Sequence, residues 1–222
     1  MSLLKRFVSV SENVGVTSAF IFFNPEKKPK IELLSQKELN IYSKFTSCKR
    51  QNEFVAGRIA CKKAFFKLIS GNADCFEKFP SVSVLNTETG TPFIENSDLF
   101  ISVSHSHEVA IASVSQQNVG IDIEQINPKR ILAMKRMNAE CKTEDPRIFT
   151  ILWTLKESLG KALQTGIVED FRYYDTKNFC CKNEIYHCDF KNFTSFSGIG
   201  MIDEKYAVAI VTLSANFATE QI

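Results

Sequence analysis

Asp122 and Glu124 stand two apart in the run Gly120-Ile121-Asp122-Ile123-Glu124. Alternate side chains of a strand share a face, so both acids point one way and Ile121 and Ile123 the other. Neighbouring carboxylates repel unless a cation separates them, and a hard divalent ion takes oxygen ligands. A solvated edge strand with two acids would show the same pattern. Further on, Glu157 and Lys161 form an i, i+4 pair in the favourable order, with Lys156 beside them. As a plain surface ion pair this is worth about 0.3–0.5 kcal/mol. Arg50 and Arg58 lie a little over two helical turns apart, which suits either a solvated basic face or a clamp for phosphate oxygens. Ser104-His105-Ser106 forms a polar knot just before the acidic run.

These residues need elements to carry them. Leu99–Val103, Val109–Val114 and Val119–Glu124 read as three short strands in succession. The two cationic groups fall on two long helices. The first runs from about Cys48 to Ser70 and stops at Gly71. The second runs from about Asp145 to Thr165 and stops at Gly166, with Ile148, Leu152, Leu155, Leu159, Ala162 and Leu163 at helical spacing. Ser35-Gln36-Lys37-Glu38 is a capping box opening a short helix towards Phe45. Val14–Phe23, Ser81–Leu85, Phe171–Tyr174, Ile185–Phe190 and Tyr206–Leu213 are further predicted strands, Asn86–Pro92 a turn, and Pro128–Ala139 a helix. Residues 1–115 and 116–222 share a rhythm of strand, long helix and strands, which predicts two similar halves.

The 222 residues, 44% hydrophobic and 23% charged, suffice for one large domain or two small ones. Nineteen Phe read as core filling. A net charge of +2 offers no polyelectrolyte attraction, so nucleic acid is not an expected partner. Seven cysteines, at 48, 61, 75, 141, 180, 181 and 188, lack the paired C-x-x-C spacing of zinc sites. Cys180, Cys181 and Cys188 with His187 come nearest to a metal cluster, but adjacent cysteines suit a tetrahedral site poorly, and reduced thiols are the simpler reading. The opening MSLLKRFVSV has no long apolar core, and no run approaches the roughly 20 residues that span a bilayer. A cytoplasmic protein with no membrane partner is expected.

Four separated pieces resemble one family, the 4′-phosphopantetheinyl transferases, in their large single-chain class associated with siderophore, polyketide and surfactin-type synthetases. Gly120–Glu124 is similar to its G-x-D-x-E motif. Trp153-Thr154-Leu155-Lys156-Glu157-Ser158-Leu159-Gly160-Lys161 is similar to its W-x-x-K-E-x-x-x-K helix. Ser102–Ser106 resembles its S-H-S segment, and Lys49–Arg58 its K-R-x-x-E-F-x-A-G-R stretch. The pieces occur in the family's order over roughly residues 35 to 165.

The resemblance implies an α+β fold of two similar halves in a pseudo-dimer, each a small antiparallel sheet packed on a long helix, with the active site between them. It implies transfer of the phosphopantetheine arm of coenzyme A to a serine of an apo acyl or peptidyl carrier protein, releasing adenosine 3′,5′-bisphosphate. Asp122, Glu124 and Glu157 then match the ligands of Mg²⁺, with Mn²⁺ as an alternative. Glu157, or a metal-bound water beside it, becomes the proton acceptor; Lys161 neutralises charge on the pyrophosphate or the leaving group, and Lys156 either orients Glu157 or pairs elsewhere. Arg50, Arg58, Ser104 and His105, with Lys161, become the residues that hold coenzyme A. In the family's G-x-P turn a basic residue often sits in the middle, where this chain has Thr91. A monomer is implied, since the halves already build one site. The rival readings are a Mg²⁺-dependent phosphohydrolase acting without a carrier protein and a non-catalytic coenzyme A-binding protein.

Overall fold

The structure is a computed structural model describing residues 2–130, 144–215 and 217. In chain order its main elements are α1 (Leu3–Asn13), β1 (Thr17–Phe22), α2 (Gln36–Tyr42), α3 (Cys48–Ser70), β2 (Val84–Asn86), β3 (Pro92–Ile94), β4 (Phe100–Ser106), β5 (Val109–Ser115) and β6 (Val119–Gln125). Then follow α4 (Pro146–Ala162), β7 (Thr176–Lys182), β8 (Ile185–Phe190), β9 (Phe196–Ile202) and β10 (Tyr206–Leu213). The strands form a three-stranded sheet in the order β1-β5-β4, a five-stranded sheet in the order β6-β10-β9-β8-β7, and a β2–β3 hairpin. The strands of each sheet pair antiparallel.

The period of two along these strands sorts the side chains into layers. Ala110, Ala112 and Val114 of β5 face Ala56, Ala60, Cys61 and Ala64 of α3, small residues that let helix and sheet approach closely. Val109 and Ile111 face the other way, into a core shared with Val119, Ile121 and Ile123 of β6 and Tyr206, Val208 and Ile210 of β10. Ala207, Ala209 and Val211 in turn face Ile151, Leu155, Leu159 and Ala162 of α4. The order is therefore helix, sheet, sheet, helix, and Leu4 and Phe7 of α1 close the central layer. Each fully buried aliphatic or aromatic side chain contributes about 1.5–3 kcal/mol. This is the expected α+β pair of antiparallel sheets, each on a long helix, with the two sheets sharing one apolar core.

The capping box forms as expected: the Glu38 amide donates to Ser35 Oγ, and Glu38 Oε2 accepts from the Ser35 amide at 2.7 Å. The same carboxylate pairs with the fully buried Lys62 ammonium at 2.6 Å and accepts from the Val84 amide at 3.0 Å. One buried charge pair thus ties α2, α3 and β2 together.

Several expected elements differ. Phe171–Tyr174 is a short 3-10 turn rather than a strand: Asp170 caps it by accepting from the Arg172 amide, and the three-residue spacing turns Phe171 and Tyr174 inward together. The first strand is shorter than Val14–Phe23, because Val14 ends α1 and Gly15 takes a positive φ of 70°. Ser81 closes a 3-10 turn instead of opening a strand, and β2 begins at Val84. The predicted helix Pro128–Ala139 starts as a 3-10 turn at Pro128–Arg130, and its remainder lies outside the described residues. Cys180 and Cys181 are neighbours on β7 and therefore point to opposite faces.

Candidate active site

β6 is placed so that its acids face α4. Its odd-numbered residues fill the central core, leaving Gly120, Asp122 and Glu124 on the helix side. Gly120 permits this approach: a Cβ there would lie 1.8 Å from the Ser158 carbonyl oxygen and 2.5 Å from the Ala162 nitrogen. Ser158 Oγ donates to the Ala209 carbonyl at 3.1 Å and fastens the helix to the adjacent strand.

Asp122 is the hub. Its Oδ1 accepts from Lys161 Nζ at 2.7 Å and from Ser104 Oγ at 2.6 Å. Lys161 also donates to the Ile121 carbonyl at 3.1 Å. Asp122 Oδ2 is buried and has no hydrogen-bond partner among the described residues. Glu157, one turn before Lys161, has its carboxyl pushed above the usual range, first by burial and then by the nearby Asp122 charge, with Lys161 opposing. Glu124 is half-buried on the same face of β6 as Asp122.

A second group gathers from α3 and β4. His105 Nδ1 lies 3.9 Å from Glu53 Oε1, and the same carboxylate pairs with Lys49 at 3.8 Å and Arg50 at 3.9 Å. Burial lowers the His105 pKa; Glu53 opposes this, and the charges of Lys161 and Arg50 add to the fall. The charges of Lys161 and Asp122 both reach His105, so the two groups are neighbours. Arg58 is turned elsewhere. It is buried, its pKa lowered chiefly by desolvation, and it donates to Asn86 Oδ1 at 2.5 Å while lying over the Phe54 ring. Asn86 and the Gly90-Thr91-Pro92 turn line a cavity of about 240 Å³ with Ser102, Lys161 and Gly166. Thr91 Oγ1 donates to the Gln164 carbonyl at 3.2 Å, bridging the two halves where the resemblance suggested a basic residue.

Lys156 is not brought to the acids. Its ammonium is 1% exposed, pairs with Asp175 at 2.5 Å and lies over the Phe171 ring, because one residue before Glu157 is about 100° round the helix. Of the two alternatives for Lys156, pairing elsewhere is the one that this contact with Asp175 fits. Sequence reasoning missed Glu53, Asn86 and the separate contributions of Ser102 and Ser106. The alternation Ser102, Ser104, Ser106 was the available signal, since it puts three hydroxyls on one strand face.

The donor set suits a hard divalent cation. It consists of carboxylate oxygens, one of them a buried atom without a partner, beside a second carboxyl whose charge the first disfavours. Among the described residues no three His, Cys, Asp or Glu side chains already close round one point. That is compatible with magnesium, which one or two carboxylates hold together with substrate phosphates.

The model of the 4′-phosphopantetheinyl transferase superfamily matches residues 118–211, and that of the 4′-phosphopantetheinyl transferase N-terminal domain matches residues 42–115. A holo-[acyl-carrier-protein] synthase of Petrotoga mobilis is 33% identical over 98 residues, covering 37% of this chain and 76% of the relative. The corresponding synthase of Enterococcus faecalis is 38% identical over 86 residues, covering 37% and 72%. The 4′-phosphopantetheinyl transferase gsp of Aneurinibacillus migulanus is 23% identical over 145 residues, covering 60% of this chain and 57% of the relative. A solved holo-(acyl-carrier-protein) synthase from Bacillus anthracis in complex with CoA is 30% identical and covers 46% of this chain and 93% of that one, with a TM-score of 0.38. The chain belongs to the 4′-phosphopantetheinyl transferase superfamily.

Proposed function

We propose that the chain uses the cleft between α4, β6 and β4 to move the 4′-phosphopantetheine arm of coenzyme A onto a serine hydroxyl of an apo acyl or peptidyl carrier protein. The observation that carries the reading is Asp122, held between Lys161 and Ser104 with one oxygen left unpartnered beside Glu157. The serine oxygen forms a bond to the phosphorus of the arm, the bond from that phosphorus to the bridging oxygen breaks, and adenosine 3′,5′-bisphosphate leaves. Mg²⁺ or Mn²⁺ held by Asp122, Glu124 and Glu157 would supply the charge neutralisation this displacement needs. Glu157, whose raised pKa suits proton uptake, accepts the serine proton. Lys161 stabilises charge growing on the pyrophosphate. Arg50, His105 and Ser104 hold the nucleotide end, and Arg58 acts from the hairpin side with Asn86.

The halves divide at residues 115 and 116 in this reading, and the protein works as a cytoplasmic monomer because the cleft already draws on both halves. No helix among the described residues is long and apolar enough to cross a membrane. The test is the intact mass of an apo carrier protein incubated with the enzyme, coenzyme A and Mg²⁺. A gain of one phosphopantetheine, abolished by EDTA, supports the reading. Coenzyme A cleavage with an unmodified carrier points to a hydrolase instead, and binding without either product points to a non-catalytic binding protein.

A further inference from the structure

Among the described residues β6 is an edge strand: one side pairs with β10 and the other with no strand of its sheet. A buried strand edge leaves backbone donors in need of acceptors. Two of them are met by side chains of β4. The Ile121 amide donates to Ser102 Oγ at 3.0 Å, and the Gln125 amide donates to Ser106 Oγ at 2.9 Å. Between these, Ser104 donates to Asp122. Both amide contacts join residues 19 apart, so β4 and β6 run in the same direction and in one register.

The central core sets that register only loosely, because apolar contact is non-directional, whereas hydrogen bonds fix it atom to atom. Pairing with β10 fixes β6 within its own sheet but not against β4, the strand carrying Ser104 and His105. We propose that Ser102 and Ser106 are positioning residues for the transfer. They stand in for a backbone ladder and hold the strand of Asp122 at a fixed offset from the strand of His105, so the acids and the nucleotide-holding residues keep a constant separation. They act through the Ile121 and Gln125 amides, not on the reacting atoms. In-line displacement is sensitive to such placement, where a shift of about 1 Å can cost about a hundredfold. The inference rests on the transferase reading of the site.

The experiment compares wild type with Ser102→Ala, Ser106→Ala, the double Ala variant and the matching Ser→Thr variants. It measures backbone amide exchange at Ile121 and Gln125, and kcat and KM for coenzyme A with an apo carrier protein. Each Ala variant is expected to lose protection at its own partner amide. The double variant is expected to lose about tenfold or more in kcat with KM for coenzyme A changed less than about twofold. The Thr variants, which keep the hydroxyl, are expected to retain wild-type kcat. Wild-type kcat in the Ala variants, a fall that tracks only the unfolded fraction, or no rescue by Thr overturns the proposal. Each single variant carries the comparison if the double variant does not fold. An inactive wild type would instead sink the transferase reading, and amide exchange would still report whether the serines clamp the strand.

Discussion

Lys161 Nζ lies 2.7 Å from Asp122 Oδ1 and 3.1 Å from the Ile121 carbonyl oxygen, so one ammonium spans from α4 to the acidic strand. The lysine is part-exposed while Asp122 is nearly buried. It can therefore shift towards a bound pyrophosphate without leaving a deeply buried cation behind. Lys161→Ala is expected to lower kcat per folded molecule by about 10²–10³-fold and also to lower the melting temperature, since it strands the buried Asp122 carboxylate; carrier mass gain and thermal melting read the two effects. A variant that keeps its rate would remove Lys161 from the chemistry.

Lys156 is expected to behave in the opposite way. Its buried ammonium faces Asp175, and Asp175 also pairs with Lys191 at 3.4 Å. Truncating one member of a buried pair strands the other. Lys156→Ala should cost about 3 kcal/mol in urea denaturation, while the rate per folded molecule stays close to wild type. A large fall in kcat with unchanged stability would return Lys156 to the active site.

Asp122→Asn keeps the volume and removes the charge that Lys161 and the unpartnered oxygen depend on. The variant should fold and show no measurable phosphopantetheine transfer. Mg²⁺ should also raise the melting temperature of wild type and not that of the variant, because a ligand stabilises only the state that binds it. A Mg²⁺-dependent shift of equal size in both proteins would place the ion elsewhere.

Much of this arrangement was legible in the sequence because it rests on local periodicity. The two-residue spacing of Asp122 and Glu124, the four-residue spacing of Glu157 and Lys161, and the capping box at Ser35 each act within one element. What was not legible depends on rotation and on long-range neighbours. Lys156 adjoins Glu157 in sequence, yet only the packing of Phe171 and Asp175 against α4 decides that it points away. Glu53 was not singled out, because its neighbour His105 comes from β4, far along the chain. The turn at Phe171–Tyr174 reads as a strand from its aromatic content, but Asp170 and Arg172 close it locally. β7 and β9 were missed because Lys, Asn and Cys along β7 and Gly198 and Gly200 along β9 weaken the strand signal.

Gly120 supplies a steric test. Any side chain there meets the backbone of Ser158 and Ala162 rather than a flexible group, so α4 must move from β6. Gly120→Ala is expected to cost about 3 kcal/mol of stability and to lower kcat in the remaining folded protein, since Glu157 and Lys161 ride on the displaced helix. Denaturant melts and carrier modification read the two effects separately. Wild-type stability would mean that the helix sits farther from the strand than this packing requires.

Cys61 gives the pH dependence its sign. The thiol is fully buried against β5, and burial pushes its pKa up to about 12. In the unfolded chain the same thiol ionises near the ordinary value of about 8.5. Between these values the native protein holds a proton that the unfolded chain has released, so this contribution to stability is complete below the unfolded pKa and is lost as pH rises towards the folded one. The loss is on the order of 1.4 kcal/mol per pH unit across that window. Lys62, the next residue, runs the other way: burial lowers its pKa, so the unfolded chain takes up its proton more readily and stability gains as pH rises. Comparison with Cys61→Ala separates the two. The variant loses a packed side chain at every pH but keeps Lys62, so its stability deficit relative to wild type should be largest near about pH 8 and shrink by about pH 11 in urea melts. A deficit that stays constant over that range would mean that the Cys61 thiol ionises as easily in the folded protein as in the unfolded chain, and that α3 does not seal it from water.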